Sequence, residues 1–535
     1  MNKKEPLVGS LTDSLNRTTA ASVPTEDSFP DSRRVPESLA NCMRTPEVAQ
    51  ALRTRGGQEN KLRLLVVIAS YGRNQDRYLE EIVREYKRMP YKVDVIVTSN
   101  VEKPVPAGVQ LVIGMPSKNP WSLPFAHKKV MAERVADYDL FIYSENDTLI
   151  STGNIESFLR VSEVLPENEI PGFLLYEDGP TGARRYAGIH GRFHWDVTSV
   201  CRRGPYTFAF LTNEHSACYL LTQRQLRQAI GSGGFLVPPH HGKYDLACTA
   251  STDPYTSCGF RKLVCISHVE DFLVHHLPDK YTGREFTPEE QSFDKQREAL
   301  LAIAREGGNR PYLLPIETKL PDLHMSKEYY EPVKQEVIGA IPGSVQSLLS
   351  VGSGSGATER WFVQRMRQVT AIPLDPAIGA CLEGSGVELV HGDYDSALRS
   401  LDGRKFQALF FSNTLHLVPN PGSLLRKYTK LLEPGGYVLL LTPNVATLRN
   451  NLTALLDRPA YRRLRDFEQG GVQFVSLARV RKWLAFAGLS LEDVRWITTP
   501  RFRGIVQSLP ALFGPWFGTE IIVLGQKQFD LQRQV

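Results

Sequence analysis

Apolar residues arrive in short bursts along most of this chain. "KLRLLVVIASYG" (61–72), "KVDVIVTSN" (92–100) and "VQLVIGMP" (109–116) have the length of buried strands that end in small or polar residues. Between the first two, "DRYLEEIVREYKRM" (76–89) sets Leu79, Ile82, Val83 and Tyr86 at helical spacing. "HKKVMAERVADY" (127–138) reads as a second helix and "DLFIYSEND" (139–147) as a fourth strand. Strands alternating with helices predict an α/β layer with a mainly parallel sheet.

The pattern lapses over "EGGNRPYLLPIETKLPDLHMSKEYYEPV" (306–333), which prolines break into a linker or partly helical connector. Alternation then restarts. Strands are expected at 345–351, 369–375, 387–392, 406–412 and 437–442, helices at 421–432 and 476–487, and closing strands at "DVRWITT" and "TEIIVLGQK". Residues 1–58 are rich in Ser, Thr, Pro and charge without period, the composition of a disordered tail. The expected organisation is therefore a tail (1–58), an α/β domain (59–310), a linker (311–340) and a second α/β domain (341–530).

Composition narrows the function classes. A net charge of +5 over 535 residues does not argue for nucleic acid, while a pI near 8.7 suits an anionic nucleotide or peripheral contact with a membrane surface. Seven cysteines without C-x-x-C pairs read as reduced thiols in a cytoplasmic protein. The basic N-terminus lacks the apolar core of a signal peptide. "GIVQSLPALFGPWFGTEIIVLG" (504–525) is broken by two prolines, a Gln and a Glu, so it is not a membrane span.

Candidate chemistry lies at strand ends. "LLSVGSGSGATERWF" places Gly352, Gly354 and Gly356 between a strand and a helix, where backbone can approach a ligand closely. Asp375 ends the next strand 21 positions after Gly354, near the spacing of a ribose-binding acid, and Asp393 ends the third. With "FFSNTLHLVPNPGSLLRKYTKLLEPGGYVLLLTPN" following in order, residues 340–527 resemble class I S-adenosylmethionine-dependent methyltransferases. The resemblance implies a seven-stranded Rossmann-like fold, with the three glycines cradling the methionyl part, Asp375 on the ribose and Asp393 facing the adenine. It also implies a cofactor contact at Ser350, where the family usually carries an acid, so the charge is missing. His416 follows the fourth strand, where a weak base for methyl transfer can sit; packing beneath the loop is the alternative.

In the N-terminal half, Glu145 and Asp147 are spaced i and i+2 at a strand end, so both carboxylates point the same way along the pleat. Such a pair can hold Mg²⁺ or Mn²⁺ against a diphosphate. "LPFAHKK" brings His127, Lys128 and Lys129 ahead of it. Residues 61–281 resemble GT-A glycosyltransferases, whose acid-x-acid motif follows a central strand. The resemblance implies a nucleotide-sugar donor and Asp147 as main metal ligand, assisted by Glu145. A late histidine completes the metal shell in some members; His276, beside His275, is the candidate. Asp245 and Asp253, with Glu214 behind them, are the candidate bases for a glycan or glycoconjugate acceptor.

Together these expectations describe a bifunctional transferase that glycosylates and O-methylates a glycan in polysaccharide or glycoconjugate biosynthesis. Two other readings fit the same residues: a methyltransferase carrying a glycan-binding module, and a glycosyltransferase carrying a degenerate methyltransferase-like interaction domain. Donor sugar, acceptor, anomeric outcome and oligomeric state are not encoded legibly.

Overall fold

The computed structural model describes residues 61–528 apart from 180–181, 183, 187–192, 282–289, 308–310, 314–315, 320–324 and 456–462. The expected tail at 1–58 lies outside the described residues.

Leu64 to Ile68 are wholly buried on both faces of the first strand, β1 (Arg63–Ala69), as a central parallel strand requires. At about 1.5–3 kcal/mol per buried aliphatic side chain, this run anchors the N-terminal core. β2 (Lys92–Ser99) and β3 (Val109–Ile113) pair parallel on one side of β1, and β4 (Leu140–Glu145) pairs parallel on the other. β5 (Cys218–Thr222) closes the sheet antiparallel to β4, giving the order β5-β4-β1-β2-β3. Helix α1 (Asp76–Arg88) buries the predicted Leu79, Ile82, Val83 and Tyr86, and α2 (Ala126–Glu133) is a shorter helix than its sequence pattern suggested. Two four-stranded sheets follow; one contains β6 (Leu273–His276), pairing parallel with Leu174–Asp178 and antiparallel with Thr148–Leu149. Helix α3 (Leu246–Thr256) packs beside Pro120–Phe125.

Helix α4 (Glu290–Arg305) touches both halves, packing on Trp195–Arg203 and on the turn Pro376–Gly379. Residues 59–535 consequently form one compact unit.

The second sheet has seven strands. They are β7 (Ser347–Ser353), β8 (Gln368–Pro373), β9 (Glu388–Leu389), β10 (Phe406–Ser412), β11 (Leu432–Pro443), β12 (Leu489–Thr498) and β13 (Gly518–Lys527), in the order β9-β8-β7-β10-β11-β13-β12. Only β13 runs antiparallel to its neighbours, between β11 and β12. The expected strand 387–392 shrinks to the two-residue edge β9, because His391 and Gly392 turn away into a loop with Gly392 at φ 149°. Apolar clusters cover both faces of this sheet, around Leu409 and Phe411 on one side and Leu348 and Phe410 on the other. Helix α5 (Ala357–Val363) leaves the glycine loop after β7, and α6 (Leu448–Leu455) follows β11. Helices α7 (Arg503–Ser508) and α8 (Pro510–Phe517) are inserted between the last two strands.

Each sheet reverses its direction of growth once. The chain adds β2 and β3 outward from β1, then returns to lay β4 on β1's other side; likewise β8 and β9 grow from β7 before β10 returns. Open α/β sheets leave a crevice at the carboxyl ends of the strands where this reversal occurs.

Candidate functional sites at two sheet reversals

At the second reversal, Gly352 and Gly356 adopt φ 84° and 85°, conformations that favour glycine. A Cβ at Gly352 would collide with Thr414, at Gly354 with the Tyr329 carbonyl, and at Gly356 with Leu382. The space these glycines leave is thus used in this structure by the protein's own chain. Tyr329, from the segment expected to be linker, closes over the loop: its carbonyl accepts from the Ser355 N–H (2.7 Å) and its hydroxyl donates to Asp375 Oδ2 (2.8 Å). The Tyr329 ring stacks on His194 of the N-terminal half, with centroids 4.0 Å apart and 5° between planes.

Asp375 caps the turn after β8 by accepting from the Ile378 N–H (2.9 Å). Burial pushes its carboxyl up to about 6, against the pull of the Ile378 and Tyr329 hydrogen bonds. Its hydrogen-bond donors are all neutral, the setting that suits a further hydroxyl. Asp393 is exposed and caps the next helix, accepting from the Ser396 N–H at 2.6 Å, which draws its carboxyl below the usual range.

Ser350 is fully buried and donates to Glu359 Oε1 (2.6 Å) on α5. An acid absent from the strand is thus present one element later; burial raises the Glu359 carboxyl above its ordinary value. Beside it, Lys327 pairs with Glu331, and Glu331 also accepts from Ser412 Oγ (3.1 Å) and Asn413 Nδ2 (2.8 Å). Burial works to raise Glu331, but the charges of Lys327 and Lys334 prevail and hold it at about 2. Asn413 has φ 50°, and its Oδ1, like Ser353 Oγ, is buried without a hydrogen-bond partner. Two orphaned polar atoms, a hydroxyl-seeking acid and a glycine loop at one crevice fit a nucleoside-bearing ligand.

His416 does not join this group. It is 1% exposed, its Nε2 donates to the Met325 carbonyl (2.7 Å), and burial lowers its pKa to about 4. The ring is a neutral packing group here and is assigned no role as a base.

At the first reversal, Ala69 lies opposite Glu145, and Asn146 bonds back to the Ala69 carbonyl (3.2 Å) and to Ser70 Oγ (2.7 Å). Asp147 Oδ2 accepts from Gln75 Nε2 (2.8 Å) and faces His276 Nε2 at 3.4 Å and Lys280 Nζ at 3.9 Å. His276 donates from Nδ1 to Glu177 (2.5 Å). Burial alone would lower the His276 pKa, yet its hydrogen bonds to Asp147 and Glu177 raise it to about 9. At Asp147 burial works to raise the pKa, but His276, Lys280 and Gln75 outweigh it and lower it. Glu145 is pushed up to about 8, by burial first and then by the Asp147 charge. Asp147 is thus a carboxylate facing the His276 imidazolium and Lys280, with Glu145 beside it holding its proton more tightly than an ordinary carboxyl.

These residues do not make the expected shell for Mg²⁺ or Mn²⁺. Among the described residues, no group of three or more His, Cys, Asp or Glu side chains is placed to hold a metal ion. Asp147 and His276 meet each other directly instead. Asp147 Oδ1 is nevertheless buried without a partner, one open acceptor suited to a hydroxyl.

The other candidates scatter. Asp253 is fully buried, paired with Lys128 and bonded by Ser257 Oγ (2.9 Å), so it is a structural counter-ion rather than an accessible base. Asp245 is exposed and caps α3 through the Cys248 N–H (2.9 Å), within electrostatic reach of Glu145. Glu214 is held by Tyr244 and Lys243, both at 2.8 Å. His127 is buried against Tyr143 and Tyr219, and burial keeps it neutral. Lys129 points to solvent, and His275 stacks on Tyr176. Sequence reasoning missed Gln75, Glu177 and Lys280 at the first crevice, and Lys327, Tyr329, Glu331 and Asn413 at the second. "KEYYEPVK" was the one available signal: paired aromatics and charges inside an otherwise patternless segment.

A family described as a methyltransferase domain matches residues 322–494, which begins within the expected linker. The chain is 30% identical over 169 residues to the ubiquinone biosynthesis O-methyltransferase of Xanthomonas axonopodis pv. citri (strain 306), covering 30% of this chain and 71% of that protein. It is 29% identical over 169 residues to the enzyme of the same description from Xylella fastidiosa (strain 9a5c), covering 30% and 69%. An S-adenosylmethionine-dependent methyltransferase structure from Mesorhizobium loti aligns over 36% of this chain and 96% of its own, at 17% identity and a TM-score of 0.28.

Proposed function

Because this chain belongs, through residues 322–494, to the S-adenosylmethionine-dependent class I methyltransferases, we propose that its C-terminal half methylates an oxygen of its acceptor. The observation that carries the reading is the crevice between β7 and β10, where the glycine loop, Asp375 and the orphaned Ser353 and Asn413 atoms converge. S-adenosylmethionine, when bound, supplies an electrophilic methyl group on its sulfonium. The chain's own contribution is binding and alignment, which suffice for a large part of such a transfer. Asp375, ionised at neutral pH, accepts from a ribose hydroxyl; Glu331 carries negative charge near the glycine loop; Tyr329 covers the loop. The experiment is transfer of a labelled methyl group from S-adenosylmethionine to phenolic and glycan acceptors. Transfer that disappears in Asp375→Ala supports the reading, and absence of both transfer and cofactor-product binding in the intact protein overturns it.

A second reading concerns the N-terminal half. The acid pair at the reversal of a parallel sheet, with one open Asp147 oxygen, favours glycosyl transfer from a nucleotide-sugar donor, as the GT-A resemblance implies. His276 and Lys280 are the cations beside that position, and no step is assigned to a divalent ion. Joining this activity to a methyltransferase suits successive work on one glycan, since linkage raises local concentration into the millimolar range. Release of nucleoside diphosphate from a panel of nucleotide sugars tests it. Release abolished by Asp147→Ala supports a donor site; no release with methyl transfer intact leaves the N-terminal half as an acceptor-binding module.

A further inference from the structure

Twelve large hydrophobic side chains stand exposed among the described residues, and six of them lie on or between three neighbouring helices: Leu448, Leu452, Ile505, Leu509, Leu512 and Trp516. They come from α6, α7 and the short α7–α8 junction, and from α8, which packs against both of the other helices. The sequence of α8, "PALFGPWF", has no polar residue. A helix apolar on all sides is ordinarily buried on all sides or in contact with lipid. One side of α8 is indeed buried: Phe517 stacks on Phe502 (4.7 Å), and Gly514 packs so closely on Trp496 that a Cβ would collide. Leu512 and Trp516, one turn apart, face the other way and are 58% and 47% exposed.

The unpaired charge on these helices is basic; Arg495 beside them is neutralised by Asp493 (2.8 Å). From Val494 to Thr519 the chain carries Arg495, Arg501 and Arg503 and no acid; α6 adds Arg449 and no acid. Arg449, Arg501 and Arg503 are exposed. No helix among the described residues is long and apolar enough to cross a membrane. Short helices with an apolar face, an interfacial Trp and flanking arginines instead lie in the plane of a lipid surface, their charge selecting anionic headgroups. The face is fixed to the sheet, because Asn444 after β11 donates to the carbonyls of Pro515 (3.0 Å) and Gly518 (2.9 Å).

We propose that the α6–α7–α8 face docks on an anionic bilayer surface. The full chain is sedimented with vesicles of phosphatidylglycerol and phosphatidylcholine, and with phosphatidylcholine alone, at low and high salt. Partition onto the anionic vesicles at least tenfold above the neutral ones is expected, falling at high salt. The pair Leu512→Ser/Trp516→Ser reduces it about tenfold while S-adenosylhomocysteine binding is retained. Arg501→Gln/Arg503→Gln, whose side chains take no part in the core, reduces the anionic preference if the double apolar variant does not fold. Equal partition of wild type and both variants, or no partition at all, overturns the proposal. So does a dimer in light scattering that either variant converts to monomer, since the face would then belong to a second copy.

Discussion

Asp375 and Asp147 each follow a strand that flanks the central strand of its sheet, on opposite sides of the reversal, and their surroundings are opposite. Asp375 accepts from neutral donors, among them the Ile378 N–H and the Tyr329 hydroxyl, with no cation beside it among the described residues, and burial raises its pKa to about 6. Asp147 meets an imidazolium and an ammonium, and its pKa is lowered. The difference teaches that a strand-end acid in sequence does not specify its chemistry; the partners brought from elsewhere do. Neutral partners leave a carboxylate hungry for a ligand hydroxyl, whereas cations largely satisfy it in advance.

The contrast can be sharpened by variants in descending order of effect. Lys128→Met strands the Asp253 carboxylate in the N-terminal core, and breaking such a buried pair costs about 3–5 kcal/mol. Chemical denaturation is expected to show that loss with cofactor-product affinity per folded molecule unchanged; a loss below about 1 kcal/mol would mean the pair is not load-carrying in that core.

Glu331→Gln tests the cationic partners at the second crevice. The folded value of about 2 lies below the ordinary 4.5, so Glu331 adds stability that is full above pH 4.5 and lost as pH falls toward 2. The melting temperatures of wild type and variant should therefore differ most near pH 7, draw together as pH falls below 4.5 and converge near about pH 2. A gap that widens on acidification contradicts the ion-pair account.

Tyr329→Phe removes one hydrogen bond from Asp375, worth about 1 kcal/mol, and should weaken S-adenosylhomocysteine binding roughly fivefold. His194→Ala, which frees the Tyr329 ring, is expected to give a similar loss that His194→Phe restores by stacking. Unequal effects of Ala and Phe are the signature of positioning; equal effects point to general loosening. The smallest change expected is Lys129→Ala: the side chain is 84% exposed and 3.8 Å from Glu133, so stability should move by less than about 0.5 kcal/mol.

Much of the fold was legible because its signals are local. The runs at 64–69, 95–99 and 408–412 are buried on both faces and need no partner information to be read as strands, and the glycine loop with Asp375 carries its own spacing. What was illegible depends on docking. Tyr329 looks like linker in sequence; only the packed structure lays it on Ser355 and Asp375. His276 is rightly beside Asp147, but Glu177 behind it and Lys280 beside it turn an expected metal ligand into an ion-pair partner. Asp253 was chosen as an acid in a polar loop, and a lysine 125 positions away fixes it in the core. The α7–α8 insertion was read only for what it is not, a membrane span.

The central claim is that the second crevice holds S-adenosylmethionine and the first does not. Calorimetric titration of S-adenosylhomocysteine into the full chain and into Asp375→Ala and Asp147→Ala tests it most directly. The account predicts binding in wild type, at least about a hundredfold loss in Asp375→Ala, equivalent to roughly 2.7 kcal/mol, and no change in Asp147→Ala. Undiminished binding in Asp375→Ala would contradict it.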